Sequence, residues 1–263
     1  MRALRVLALL AAAAAASAAD PRLASGEPEP SAEPARAQAE EGQRLFQTRD
    51  FEGAERHFEQ SLALDGSSTE TRFWLARTLD ARFRETQDPK ERAALGERAL
   101  AEYERVVAAE PSNAEAFAAF LGVAGDADDR TARPILERLG GDERLPTARR
   151  TDALVVLARR GRVCAEQRLA AIVEQPVLSG SNADARDCAT RGLSAVDKAL
   201  ALEPERESAW RERALLYGCL AQVAAVDGHG DEQSDYEKRS GQARRKAEQI
   251  RASRARTKAP RSY

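Results

Sequence analysis

Apolar positions along this chain recur at helical rather than strand spacing. Ala54, Phe58 and Leu62 follow one another at four-residue steps, the period of one helix face. Gly42 and Leu45 precede them across the break at Asp50-Phe51, and Asp65-Gly66 closes the segment. The twelve residues from Ala54 to Gly66 are matched by the intervals Ala99 to Pro111 and Gly192 to Pro204. Within those intervals Tyr103, Val196 and Leu200 stand at core spacing, and Glu110 and Glu203 precede the prolines. Leu75-Ala76 and Leu79 open the second unit, with an insertion near 82–93 that lengthens its helices around Asp88-Pro89. Phe117, Phe120 and Leu121 open a weaker third unit. Trp210, Ala214 and Tyr217 open a last one, with Arg213 where leucine is expected.

Between residues 126 and 185 the pattern thins. Thr131 to Leu139 reads as a short helix ended by Gly140-Gly141. Thr147 to Val173 reads as a long one, with Leu154, Leu157, Cys164 and Leu169 on one face and Gly161 weakening its middle. Gln175-Pro176 to Asn182 reads as a loop. The pattern predicts an all-α chain of about five helix pairs, near 36–66, 69–111, 113–140, 147–204 and 206–253.

Neither end follows this pattern. Arg2 and Arg5, the apolar run Val6 to Ala16 and the small residues Ser17-Ala18-Ala19 form an export signal over 1–19, expected to be cleaved after Ala19. The run is shorter than the ~20 residues a membrane-spanning helix needs. Residues 20–35, with Pro21, Pro28, Pro30 and Pro34, read as a flexible leader ahead of a repeat domain over 36–253. At the far end, ten lysines and arginines lie between Lys238 and Arg261, with Glu248 the only acid. Ala243, Ala247 and Ile250 carry the last helix, and 254–263 reads as a disordered basic tail.

The recurring interval, the small residues Gly42, Ala54, Ala76 and Ala99, and the closing prolines together resemble the tetratricopeptide repeat family. The resemblance implies a right-handed α-solenoid of helix–turn–helix pairs, whose first helices line a concave trough. It also implies a trough that holds a peptide or helix of a partner protein. Carried over position by position, the trough residues would be Ala39, Gln43, Phe46 and Gln47 of the first unit. Those of the second would be Glu70, Phe73, Arg77 and Asp80. There Phe46 and Phe73 either anchor an apolar partner residue or merely pack against neighbouring helices. Trp210 falls on a core position of the repeat, whereas Trp74 lies one place off it and is the better candidate for an exposed contact.

Composition and chemistry then narrow the function. Hydrophobic residues make up 43% and aromatics only 5%, so alanine-rich layers between close helices are expected. A net charge of −2 and a basic tail without interleaved aromatics give no case for nucleic acid. His57 is expected to face solvent. His229, within Asp227-Gly228-His229-Gly230-Asp231-Glu232, reads as part of a helix–helix connection, and no metal, cofactor or catalytic residue is assigned. Cys164, Cys188 and Cys219 are an odd set in an exported chain, and one intramolecular disulfide is expected, Cys164–Cys219 preferred. The expected function is a non-enzymatic scaffold or adaptor of the periplasm or envelope that binds a protein in its groove. The alternative is a self-assembling structural component. The basic tail reads as a solvated capping helix with a disordered end, the alternative being a peripheral contact with an acidic partner or the envelope.

Overall fold

Five polar caps set the starts of the early helices. Asp50, Ser68, Asp88, Asn113 and Asp128 each accept a hydrogen bond from a backbone N–H two or three residues on, satisfying donors that a helix start leaves open. The computed structural model describes residues 32–174 and 182–258, and they form ten helices with no strand among them. These are α1 (Ala32–Gln47), α2 (Phe51–Leu64), α3 (Thr69–Glu85), α4 (Pro89–Ala109) and α5 (Ala114–Asp126). They continue as α6 (Asp129–Gly141), α7 (Thr147–Glu174), α8 (Asn182–Leu202), α9 (Glu207–Val226) and α10 (Gly230–Lys258). The expected export signal, the expected leader up to residue 31, the loop expected after Gln175 up to residue 181, and residues 259–263 lie outside the described residues. No described helix is long and apolar enough to cross a membrane.

Each odd helix packs on the even helix that follows it, and each even helix packs on the next odd one. The inserted segment of the second unit lengthens α4 to 21 residues against 14 in α2, with Pro89 at the first position of α4. There the missing proline N–H is not needed. Small residues mark the close crossings. A Cβ on Gly42 would lie 2.7 Å from the Phe58 ring, and one on Gly161 would lie 2.7 Å from the Cα of Gly192. Gly161 is therefore a contact point between α7 and α8, not a weak place in the middle of α7.

Two boundaries differ from expectation. The first helix begins at Ala32, inside the expected leader, because Pro34 sits in its first turn, where proline is tolerated. The last helix continues to Lys258, four residues beyond Arg254, since alanine and arginine hold helix and no breaker intervenes. Arg254 ties this extension down by donating to the Glu205 carbonyl at 2.9 Å.

The third pair departs from the others. α5 and α6, 13 residues each, touch one another sparsely, and both lean on α7. Arg160 of α7 fills their junction. Its Nη1 donates to the carbonyls of Ala124, Gly125 and Ala127 at 2.9–3.0 Å, and its Nη2 pairs with Asp129 at 3.1 Å. A cation at the C-terminal end of α5 suits the helix dipole there. Two core clusters meet along α7. Phe58, Phe83, Tyr103, Phe120 and Leu136 belong to the first, and Ala158, Val196, Leu216 and Val223 to the second.

The disulfide joins Cys164 to Cys188, not to Cys219. The reason is the Gly161–Gly192 crossing, which brings the backbones of α7 and α8 together. Against α9, by contrast, α7 is spaced by the pairs of Arg159 and Arg162 with Glu212. Cys219 is buried, and burial pushes its thiol up to about 11, so it remains protonated and inert. Denatured protein should show one free thiol before reduction and three after. Because the bond closes a 24-residue separation, reduction should cost about 2–4 kcal/mol. Three thiols without reductant would contradict this pairing.

Candidate functional site

Of the eight residues expected in the trough, all but Gln47 fall into three neighbouring groups along α1 and α3. Gln43 and Glu70 share an open depression of about 410 Å³ with Ala39 and Thr71. Gln47 is exposed at the end of α1. Phe46, Phe73 and Arg77 come together in the second group, and Trp74 joins them. The Phe46 ring stands edge-on to Phe51 at 5.3 Å and to Trp74 at 5.5 Å. The Arg77 guanidinium lies over Trp74 at 4.8 Å, Phe46 at 5.5 Å and Phe73 at 5.7 Å. Three ring faces around one cation make a cation–π cluster. Its only ion pair within 4 Å among the described residues is with Glu115 of α5, at 3.6 Å.

Phe46 and Phe73 do pack against neighbouring helices. Each packs against the core on one side and stays half-exposed on the other. Trp74 is half-buried as well, stacked on Phe58 at 6.4 Å, so it belongs to the cluster rather than standing alone. Trp210 is structural, since its Nε1 donates to the Pro204 carbonyl at 2.7 Å. His57 is half-buried rather than solvent-facing, with its Nδ1 2.7 Å from Gln38 Oε1. The run containing His229 is a helix–helix connection. Gly228 takes a positive φ of 75°, and Asp227 pairs with Arg186 at 3.0 Å.

The third group surrounds Asp80. Its Oδ1 is 2.8 Å from Arg84 Nε, at an angle that forms no hydrogen bond. Burial raises its carboxyl above the ordinary range, and Arg84 and Arg77 offset part of that. Beneath it the Tyr103 hydroxyl is fully buried without a hydrogen-bond partner, and burial pushes its pKa upward. A raised carboxyl disfavours the native state above its folded pKa, and the penalty fades as pH falls through that value. Asp80→Asn should thus stabilise the protein at pH 7 by about 0.5 kcal/mol. The gain should shrink in acid, as read from melting midpoints across pH; a stable loss at pH 7 would count against it.

A larger open cleft, about 940 Å³, lies further along, where α7 and α8 overhang the short α5 and α6. Arg84, Asp126, Arg159, Val163 and Arg168 line it, and Cys164 and Cys188 form part of its wall. The residue pattern did not point there, since its repeat signal fades over 126–185. Arg77 was findable as the centre of its cluster: it stands one helical turn beyond Phe73 and Trp74. Neither a protein-family model nor a curated protein matches the chain.

Proposed function

We propose that the chain is an exported, non-enzymatic scaffold of the tetratricopeptide type, a right-handed solenoid that binds a segment of a partner protein along its odd-numbered helices. One observation carries the reading. Each odd helix touches the next odd helix, from α1 through α9, while successive even helices share no comparable contact among the described residues. Stacked pairs that touch on one side only must curve toward that side, so the odd helices face a hollow. Half-exposed Phe46, Phe73 and Arg77 on that side offer apolar area next to a guanidinium, the residue types on which binding energy concentrates. The basic start, apolar run and small-residue site of residues 1–19 support the reading of export to the periplasm or envelope.

Capture from the native envelope, with crosslinking and mass spectrometry, tests the reading. The same partner should be recovered with wild-type protein and lost with a folded double variant, Phe73→Ala with Arg77→Glu. Equal recovery by both would remove the basis for the groove.

A further inference from the structure

The poor match between the third and fourth helix pairs leaves a cavity on another side of the molecule. α6 has 13 residues and carries Pro134, whereas α8 has 21. Between them, over the first half of α7, lies a cleft of about 460 Å³. That lies within the ~300–1,000 Å³ usual for small-molecule sites. Its floor is apolar, made by Leu154, Leu157, Ala195 and Leu202 beside the Gly161–Gly192 crossing. Its rim carries five cations against the acids Asp129 and Glu137.

Those cations are not equivalent. Arg133 and Arg160 are both held by Asp129, and Arg191 is held by Asp187 at 2.5 Å. Arg150 donates only to the Gly140 carbonyl, at 3.3 Å, and Lys198 is exposed with no ion pair to any described residue. Glu137 is likewise unpaired, on the α6 side. The uncompensated positive charge therefore sits with α7 and α8, above the leucines.

We propose that this cleft binds an amphiphile with one anionic head and a short alkyl chain, such as a free medium-chain carboxylate. The chain covers the half-exposed Leu157 and Leu202, removing apolar surface from water. The head meets Arg150 and Lys198, which line the same cleft beside the leucines. A polyanion would leave the leucines wet, and a cationic head would meet like charge. The site is separate from the Arg77 cluster, so it stands or falls independently of partner capture.

Calorimetric titration of the full chain with decanoate, below its micelle-forming concentration, tests this, with displacement of dansyl-labelled undecanoate as a second reading. Saturable binding at one site is expected, and decyltrimethylammonium should not compete. Lys198→Glu should weaken binding about tenfold. Ser194→Trp, at an exposed position of the mouth, should abolish it. Both variants should keep the wild-type circular dichroism and melting midpoint. Three results would overturn the assignment: no saturable binding by wild type, equal competition by the cationic amphiphile, or unchanged affinity in both folded variants. Pelleting with phosphatidylglycerol vesicles without decanoate binding would also overturn it, by assigning the charge to a membrane surface.

Discussion

Replacing Gly161 with valine should cost about 3 kcal/mol or more and pull α7 away from α8. On propensity alone a glycine inside a helix is a defect, and alanine there should gain about 1 kcal/mol. The close crossing reverses that sign. A Cβ at residue 161 would lie 2.7 Å from Gly192 Cα and 2.8 Å from both Gly192 N and the Cys188 carbonyl oxygen. All three are backbone atoms, so no side chain can rotate away. Overpacking of this kind costs about 1–3 kcal/mol even where neighbours can yield, and here the two helices must separate. Gly161→Ala should therefore destabilise as well, by about 1–2 kcal/mol. Gly218 of α9 is the control, since a Cβ there meets nothing within 4 Å; Gly218→Ala should stabilise by about 0.5–1 kcal/mol. Chemical denaturation of the three variants checks the account. A stabilising Gly161→Ala would show that α7 and α8 do not cross there.

The second large effect is expected at Phe58. Its side chain is fully buried, its ring edge fills the space left by Gly42 of α1, and its face stacks on Trp74. Phe58 thus joins α1, α2 and α3 in one contact. Truncation to alanine should cost about 3–5 kcal/mol, because Gly42 has no side chain to move into the void. The Arg77 cluster should loosen with it, since Trp74 carries both the stack on Phe58 and the closest approach of the guanidinium. Denaturant midpoints give the loss, and near-ultraviolet circular dichroism of Trp74 reports the loosening. A loss below about 1 kcal/mol would mean that α1 is not docked as described.

Much of this architecture is legible in the sequence because helix ends and close crossings need particular residues. Asp50, Asp88-Pro89 and Glu110-Pro111 mark ends that the structure places within a residue or two. Ala54, Phe58, Ala99 and Tyr103 are buried where their spacing put them. The five pairs near 36–66 through 206–253 correspond to α1/α2 through α9/α10. What spacing cannot show is which backbones touch. Gly161 reads as a flaw until Gly192 is seen opposite it, and the same crossing decides that Cys164 meets Cys188. Arg160 gave no signal at all, since an arginine that closes three carbonyls of another hairpin resembles any surface arginine in a linear pattern. The candidate site was partly legible: Phe46, Phe73 and Arg77 do meet, Gln43 and Glu70 share a separate depression, and Asp80 is half-buried between the exposed Arg84 and the buried Tyr103. The clefts beside α7 arise from helices of unequal length, a property of neighbours rather than of any one segment.

Photo-crosslinking in the native envelope tests the central claim most directly. A benzophenone side chain would replace Gln47 or Glu70, exposed on odd helices, and in parallel Arg56 or Glu97, exposed on even ones. One partner protein should be trapped from residues 47 and 70, and none from residues 56 and 97. Adducts formed equally from both sets, or only from the even helices, would contradict a binding face built from the odd helices.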